Sequence, residues 1–176
     1  LRRNCGKARA LGHGFAAARG EILVMMDADL QDDPAELPKF IERLNAGADF
    51  VSGWKKRRHD PFEKRAASRI FNTATRVLSG LKLHDFNCGF KAMRREVAGS
   101  LACYGELHRY FAVFAHADGF RVEEVEVNHR ARQHGASKYH FDRYLKGALD
   151  LMTTIVLTRY LRRPGHFFGG LGVLFG

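Results

Sequence analysis

Leu23-Val24-Met25-Met26-Asp27-Ala28-Asp29-Leu30-Gln31-Asp32-Asp33-Pro34 is the stretch on which the reading of this chain turns. An apolar run of strand length breaks into acidic residues, and Pro34 then opens a helix. In an open α/β sheet, ligands collect at the carboxyl ends of parallel strands, so carboxylates placed there face a site. The Asp27-Ala28-Asp29 spacing sets two hard oxygen donors close together on a tight turn. That arrangement suits Mg2+ or Mn2+ held together with substrate phosphates. A bare D-x-D is short and common, so strand-end capping with a solvated acidic helix start stands beside the metal reading.

Upstream, Leu11, Phe15 and Ala18 fall at helical spacing between Gly6 and Gly20, which predicts a short helix over 7–19. The strand over 21–26 is nearly all apolar, as a parallel strand covered on both faces must be. Downstream, Leu37, Phe40, Ile41 and Leu44 recur at i, i+3, i+4 and i+7, Gly47 ends the helix, and Phe50-Val51-Ser52-Gly53 reads as a second strand. Helix, strand, helix, strand in alternation predicts an α/β fold with a mostly parallel sheet.

Farther along, a basic run, Lys55-Lys56-Arg57-Arg58, precedes Asp60-Pro61-Phe62-Glu63, which has the form of a capping box. The run reads either as a solvated charge cluster or as phosphate contacts near a helix N-terminus. Asp85 stands at the edge of the stretch 85–93, which reads as a turn feeding a short strand. Helical stretches follow over 95–102 and 107–117. A strand over 120–127 slips phase at Glu123-Glu124, which predicts a bulge or bend. The loop 129–139 carries Arg130, Arg132, Gly135, Ser137 and Lys138, and reads either as a phosphate cradle or as an exposed basic loop. Residues 142–161 form an amphipathic helix with Leu145, Ala148, Leu149, Met152, Ile155 and Val156 on its apolar face. Arg159, Arg162 and Arg163 then stand before Pro164 and the apolar tail 167–176, a pattern that fits a cytoplasmic membrane interface.

The totals bound these readings. At 176 residues the chain suffices for one domain with a core. Its 29 Lys and Arg against 19 Asp and Glu, formally +10, point to an anionic partner without choosing among nucleic acid, membrane and phosphorylated substrate. Cys5, Cys88 and Cys103 are scattered and odd in number, which fits buried thiols in a reducing compartment rather than a disulfide framework. The chain begins with Leu and ends inside an apolar run shorter than the roughly 20 residues a span needs. It therefore reads as an internal fragment of a longer protein.

Several of these stretches together resemble the polyprenyl-phosphate glycosyltransferases of family 2, the group that includes dolichyl-phosphate mannose synthase. The resemblance rests on Asn4-Cys5-Gly6-Lys7 with Gly12, on Asp27 through Pro34, on Asp85 through Lys91, on Glu106-Leu107-His108-Arg109, and on Arg130 through Tyr139 with its Gly135-x-Ser137-Lys138 core. It implies a glycosyltransferase-A, Rossmann-like sheet lacking its first units, with a partial catalytic domain over 1–138, a membrane-interface helix over 139–164, and the start of a transmembrane segment over 165–176. It also implies a metal-dependent, inverting transfer from a nucleotide-sugar donor to a polyprenyl phosphate at the cytoplasmic face of a membrane. The implied metal ligands are Asp27, Asp29 and Gln31 for Mg2+ or Mn2+. Gly6, Lys7, Asp27, Asp29 and Lys55 are implied in donor binding, and Arg109, Arg130, Ser137 and Lys138 at the acceptor phosphate. Asp29, Asp85 and Arg109 are the implied catalytic residues, Asp85 either orienting the sugar, assisting as a base, or serving only its turn.

Three rivals remain at this stage. A processive polysaccharide synthase typically carries Gln-x-x-Arg-Trp, and the lone Trp54 stands far from such a pattern. A nucleic-acid-binding module is disfavoured, because the basic residues are divided among separate loops without a recognition helix or stacking pattern. A non-catalytic membrane-surface protein is the third.

Overall fold

The structure, a computed structural model, describes residues 3–56, 62–101, 103–128, 130, 142–160 and 164–175. Helix α1 (Lys7–Ala17) starts behind Gly6, whose φ of 82° is open to glycine without a Cβ clash. Strand β1 (Ile22–Met25) follows, then the acidic turn and a 3-10 turn, Pro34–Glu36, that leads into α2 (Leu37–Asn45). Strand β2 (Phe50–Trp54), α3 (Phe62–Ser79), β3 (Lys91–Arg94) and α4 (Arg95–Ser100) come next. A 3-10 turn, Leu107–Tyr110, runs into α5 (Phe111–Ala117), followed by β4 (Val122–Glu126). Helix α6 (Asp142–Ile155) passes into a π-turn, Val156–Tyr160, and α7 (Pro164–Phe175) completes the order.

The sheet order is β1-β3-β2-β4. Strands β1, β2 and β4 share one direction, but β3 lies between β1 and β2 and runs against both. The expected mostly parallel sheet is therefore mixed, with β2–β4 the one parallel pair. The reason lies in how β3 is entered. A parallel neighbour requires the chain to be carried back to the opposite end of the sheet. Here turn 85–90 stays at the end where β1 and β2 finish, and β3 starts with Lys91 opposite Met25.

Side chains alternate across the sheet, as the pleat requires. Leu23, Met25, Phe50 and Met93 enter one core with α4, α5 and Leu151 of α6. Val51, Ala92 and Val125 enter the other, against Phe40 and Leu44 of α2, where Phe40 stacks on Phe90 with ring centroids 4.3 Å apart. Layers on both faces make this an α/β domain.

One further expectation is corrected. Strand β4 pairs with β2 in unbroken register from Phe50↔Val122 to Trp54↔Glu126, so there is no bulge at Glu123-Glu124. Each glutamate has its own partner: Glu123 meets Arg43 at 3.6 Å, and Glu124 accepts the backbone N–H groups of His84 and Asp85, each at 2.9 Å. On α6, Gly147, Leu151 and Thr154 are held inside among the described side chains, and Leu149 and Met152 of the predicted apolar face are exposed. Among the described residues no helix is long and apolar enough to cross a membrane. Cys5, Cys88 and Cys103 are all free.

Candidate active site

Because three strands end where the fourth begins, one edge of the sheet collects four chain segments. Turn 27–33 leaves β1 there, Lys55 and Lys56 leave β2, Asn128 and Arg130 follow β4, and turn 85–90 enters β3. This is the edge at which open α/β sheets bind ligands.

In the acidic turn, the Asp27 carboxylate is one-third exposed and paired with the Lys7 ammonium. Asp29 is exposed, and its Oδ1 accepts the Gln31 N–H at 3.2 Å. Between them Leu30 is held at φ 62°, a left-handed conformation that costs a non-glycine residue roughly 1–2 kcal/mol. Strain of this kind is tolerated where surroundings enforce it, commonly at functional turns. The support lies beneath. Asp32, buried, accepts the Asp27 N–H at 3.4 Å and stands 3.3 Å from Lys55 Nζ. Burial works against the Lys55 ammonium, but Cys88, Asp32 and Asp85 outweigh it and raise its pKa. Burial also pushes the Cys88 thiol up to about 11, so near neutrality the carboxylates are the partners that count. Lys55 thus braces the turn from behind, its side chain only 14% exposed.

Arg130 reaches the same turn from 99 residues away. Its N–H donates to Gln31 O at 2.9 Å, its carbonyl accepts from Gln31 Nε2 at 3.3 Å, and its guanidinium donates to Asp33 Oδ2 at 2.6 Å. The Ala35 N–H and then the Arg130 guanidinium hold the Asp33 carboxyl below the usual range. Nearby, the buried Glu36 accepts from Asn128 Nδ2 at 2.7 Å, which ties the start of α2 to the segment after β4.

Turn 85–90 has a different character. Asp85 is 1% exposed and accepts the Asn87 N–H at 3.1 Å, while its charge acts on Lys55 and Lys91. Lys91, fully inside the sheet, donates to the Cys88 carbonyl. Burial lowers its pKa, opposed by Cys88 and Asp85. Register places Lys91 in one row with Ser52 and Glu124, so a polar band crosses β3, β2 and β4 just below the edge.

Arg109 is largely buried, with Nη2 3.1 Å from Glu106 Oε2. Its neighbour His108 is buried with no partner on Nδ1. Burial, then Lys7, Arg109 and Lys91 against the opposing Glu106, lowers the His108 pKa to about 4. The Tyr110 hydroxyl, also buried, donates to Gly147 O of α6 at 2.8 Å.

The structure therefore brings Lys7, Asp27, Asp29, Gln31, Lys55 and Arg130 to one turn, with Asp85 below it. Arg109 stands on the 3-10 turn whose His108 feels Lys7 and Lys91. Arg57, Arg58, Ser137 and Lys138 lie outside the described residues. Sequence reasoning missed the buried lysine at 91, the bracing Asp32 and the neutral His108. A lysine inside a strand flanked by Phe90 and Ala92 is a signal that alternation makes readable; nothing in the spacing marks Asp32 among its acidic neighbours.

The profile of "Glycosyl transferase family 2" matches residues 1–101 of the 176. The chain belongs to that family. It is similar to the dodecaprenyl-phosphate galacturonate synthase of Rhizobium johnstonii, 37% identical over the whole of this chain and 53% of that protein. It is also similar to the undecaprenyl-phosphate 4-deoxy-4-formamido-L-arabinose transferase of Aeromonas hydrophila, 32% identical over 99% of this chain and 54% of that protein. The chain thus spans about half the length of these relatives. Among solved structures, glucosyl-3-phosphoglycerate synthase from Mycobacterium tuberculosis in complex with Mn2+, UDP-glucose and phosphoglyceric acid superposes with a TM-score of 0.64 at 21% identity, covering 85% of this chain and 55% of that one. That likeness shows the glycosyltransferase-A-like α/β fold.

Proposed function

We propose that this chain is the core of an enzyme that transfers a sugar from a nucleotide-sugar donor to a polyprenyl phosphate. The observation that carries the reading is the docking of Arg130 on the turn that holds Asp27, Asp29 and Gln31, locked by paired hydrogen bonds to Gln31 and one to Asp33. A lone acidic turn is ambiguous. An acidic turn stitched to an arginine 99 residues away offers complementary groups for a metal and for phosphate. Both sequence relatives are named for transfer to, or synthesis on, a polyprenyl phosphate, which supports the same acceptor class.

Asp27, Asp29 and Gln31 offer hard oxygen donors that fit Mg2+ or Mn2+. Among the described residues no three His, Cys, Asp or Glu side chains form a metal cage. Few protein ligands are the rule where substrate phosphates complete the shell. When bound, such an ion offsets negative charge developing on a nucleoside diphosphate as it departs. The protein's own contribution is placement. Lys7 and Asp27 flank the donor side, and Asp32 and Lys55 hold the turn rigid. Arg109 and Arg130, with Ser137 and Lys138, position the acceptor phosphate. That phosphate is anionic near neutrality and needs orientation more than deprotonation. Attack from the face opposite the leaving group inverts the anomeric centre. Asp85, closed off under its turn, serves the reaction by balancing Lys55 and Lys91.

Residues 139–164 lie along the cytoplasmic face of a membrane in this reading and 165–176 begin a membrane segment. Exposed Leu149 and Met152 on α6, with Phe168 and Val173 on α7, supply apolar surface for that contact. The test is an assay of the full-length protein in membranes with a panel of nucleotide sugars. Formation of a lipid-phosphate sugar that stops on chelation of divalent metal supports the reading. Transfer to a soluble acceptor alone, or transfer indifferent to chelation, contradicts it.

A further inference from the structure

Gly89 sits against the carboxylate of Asp27. A Cβ built on it falls 2.7 Å from Asp27 Cγ and 3.1 Å from Oδ1, and closer still to Oδ2. Its φ is not left-handed, so the demand for glycine here is one of space. The turn cannot retreat to make that space. Lys91 pins the preceding carbonyl, that of Cys88, and Asp85 accepts the Asn87 N–H. On its other side the Asp27 carboxylate is held by Lys7. The movable member of the contact is therefore the end of the Asp27 side chain.

We propose that Gly89 is a positioning residue for Asp27, its bare Cα fixing where the carboxylate oxygens lie at the metal and nucleotide site. This rests on the reading of Asp27 as a metal ligand. Any side chain at 89 drives the carboxylate off its place while leaving the sheet behind it intact. Gly53 supplies the contrast on the same edge: its Cβ would meet Cys88 Sγ at 2.9 Å and Phe90 O and Val127 Cγ2 at 3.2 Å, all inside the core.

The test uses the full-length protein with Gly89→Ala, Asp27→Ala and the double variant. Thermal unfolding is followed for each, and Mn2+ binding, with a nucleoside diphosphate present, by the loss of the free-ion electron paramagnetic resonance signal. Gly89→Ala is expected to weaken Mn2+ by ~10–100-fold, the range for a residue that orients a metal ligand. It lowers the melting temperature when Asp27 is present and not in the Asp27→Ala background, because the clash is then gone. Wild-type Mn2+ affinity in Gly89→Ala overturns the proposal, as does an equal melting loss in both backgrounds. If the wild-type protein binds no Mn2+, the metal reading fails, and the melting cycle alone still decides whether Gly89 sets the place of Asp27.

Discussion

Two acidic turns meet at one edge of the sheet, and they differ in what faces them. The turn after β1 holds Asp27 one-third exposed and Asp29 in solvent, over a buried Asp32–Lys55 pair. The turn before β3 holds Asp85 almost wholly buried, between the charges of Lys55 and Lys91. An exposed carboxylate can take up an ion from solution without first being desolvated. A buried one compensated by lysines is part of the structure, and removing it strands the lysines. The same residue type at the same kind of loop edge thus does opposite work, and burial decides which.

This contrast breaks if the two turns respond alike to mutation. The largest effect is expected at Asp29→Ala, which should reduce sugar transfer by on the order of 100-fold or more while leaving the melting temperature nearly unchanged. Initial rates and a thermal melt on the same preparation check both halves. Asp85→Ala should do the reverse in the first instance, costing about 3 kcal/mol or more in denaturant unfolding because Lys55 and Lys91 lose a shared counter-charge.

Below these lies a pH effect. His108 has a folded pKa of about 4 against 6.5 in the unfolded chain, so as pH falls the unfolded state takes the proton first. Stability contributed by the neutral ring is full above pH 6.5 and is lost as pH drops toward 4, by up to about 3 kcal/mol. His108→Gln should flatten that part of the stability profile, and parallel curves for variant and wild type would count against it. The smallest effect is expected at Gly53→Ala, a core overpacking of ~1–3 kcal/mol that lowers stability without changing the affinity of any folded protein for Mn2+.

Much of the sheet was legible because its signals are local. The apolar run at Leu23–Met25, the i, i+3, i+4 pattern through Leu44 and the glycine at 47 place the elements nearly where they occur. The direction of β3 was not legible, since no local pattern states whether a turn stays at one edge or crosses the sheet. The two glutamates in β4 misled for a similar reason: their partners, Arg43 and the 84–85 backbone, come from distant parts of the chain. At the site, Asp27 and Asp29 were visible as types and spacing. That Lys55 turns inward to Asp32, and that Gly89 supports Asp27, depends on tertiary contact alone.

The most direct test of the account is Mn2+ binding to the full-length protein with a nucleoside diphosphate present, compared among wild type, Asp29→Ala and Asp85→Asn. The account predicts that Asp29→Ala loses the ion while folded, and that folded Asp85→Asn retains it. Retention of wild-type affinity in Asp29→Ala would contradict the assignment of the exposed turn as the metal site.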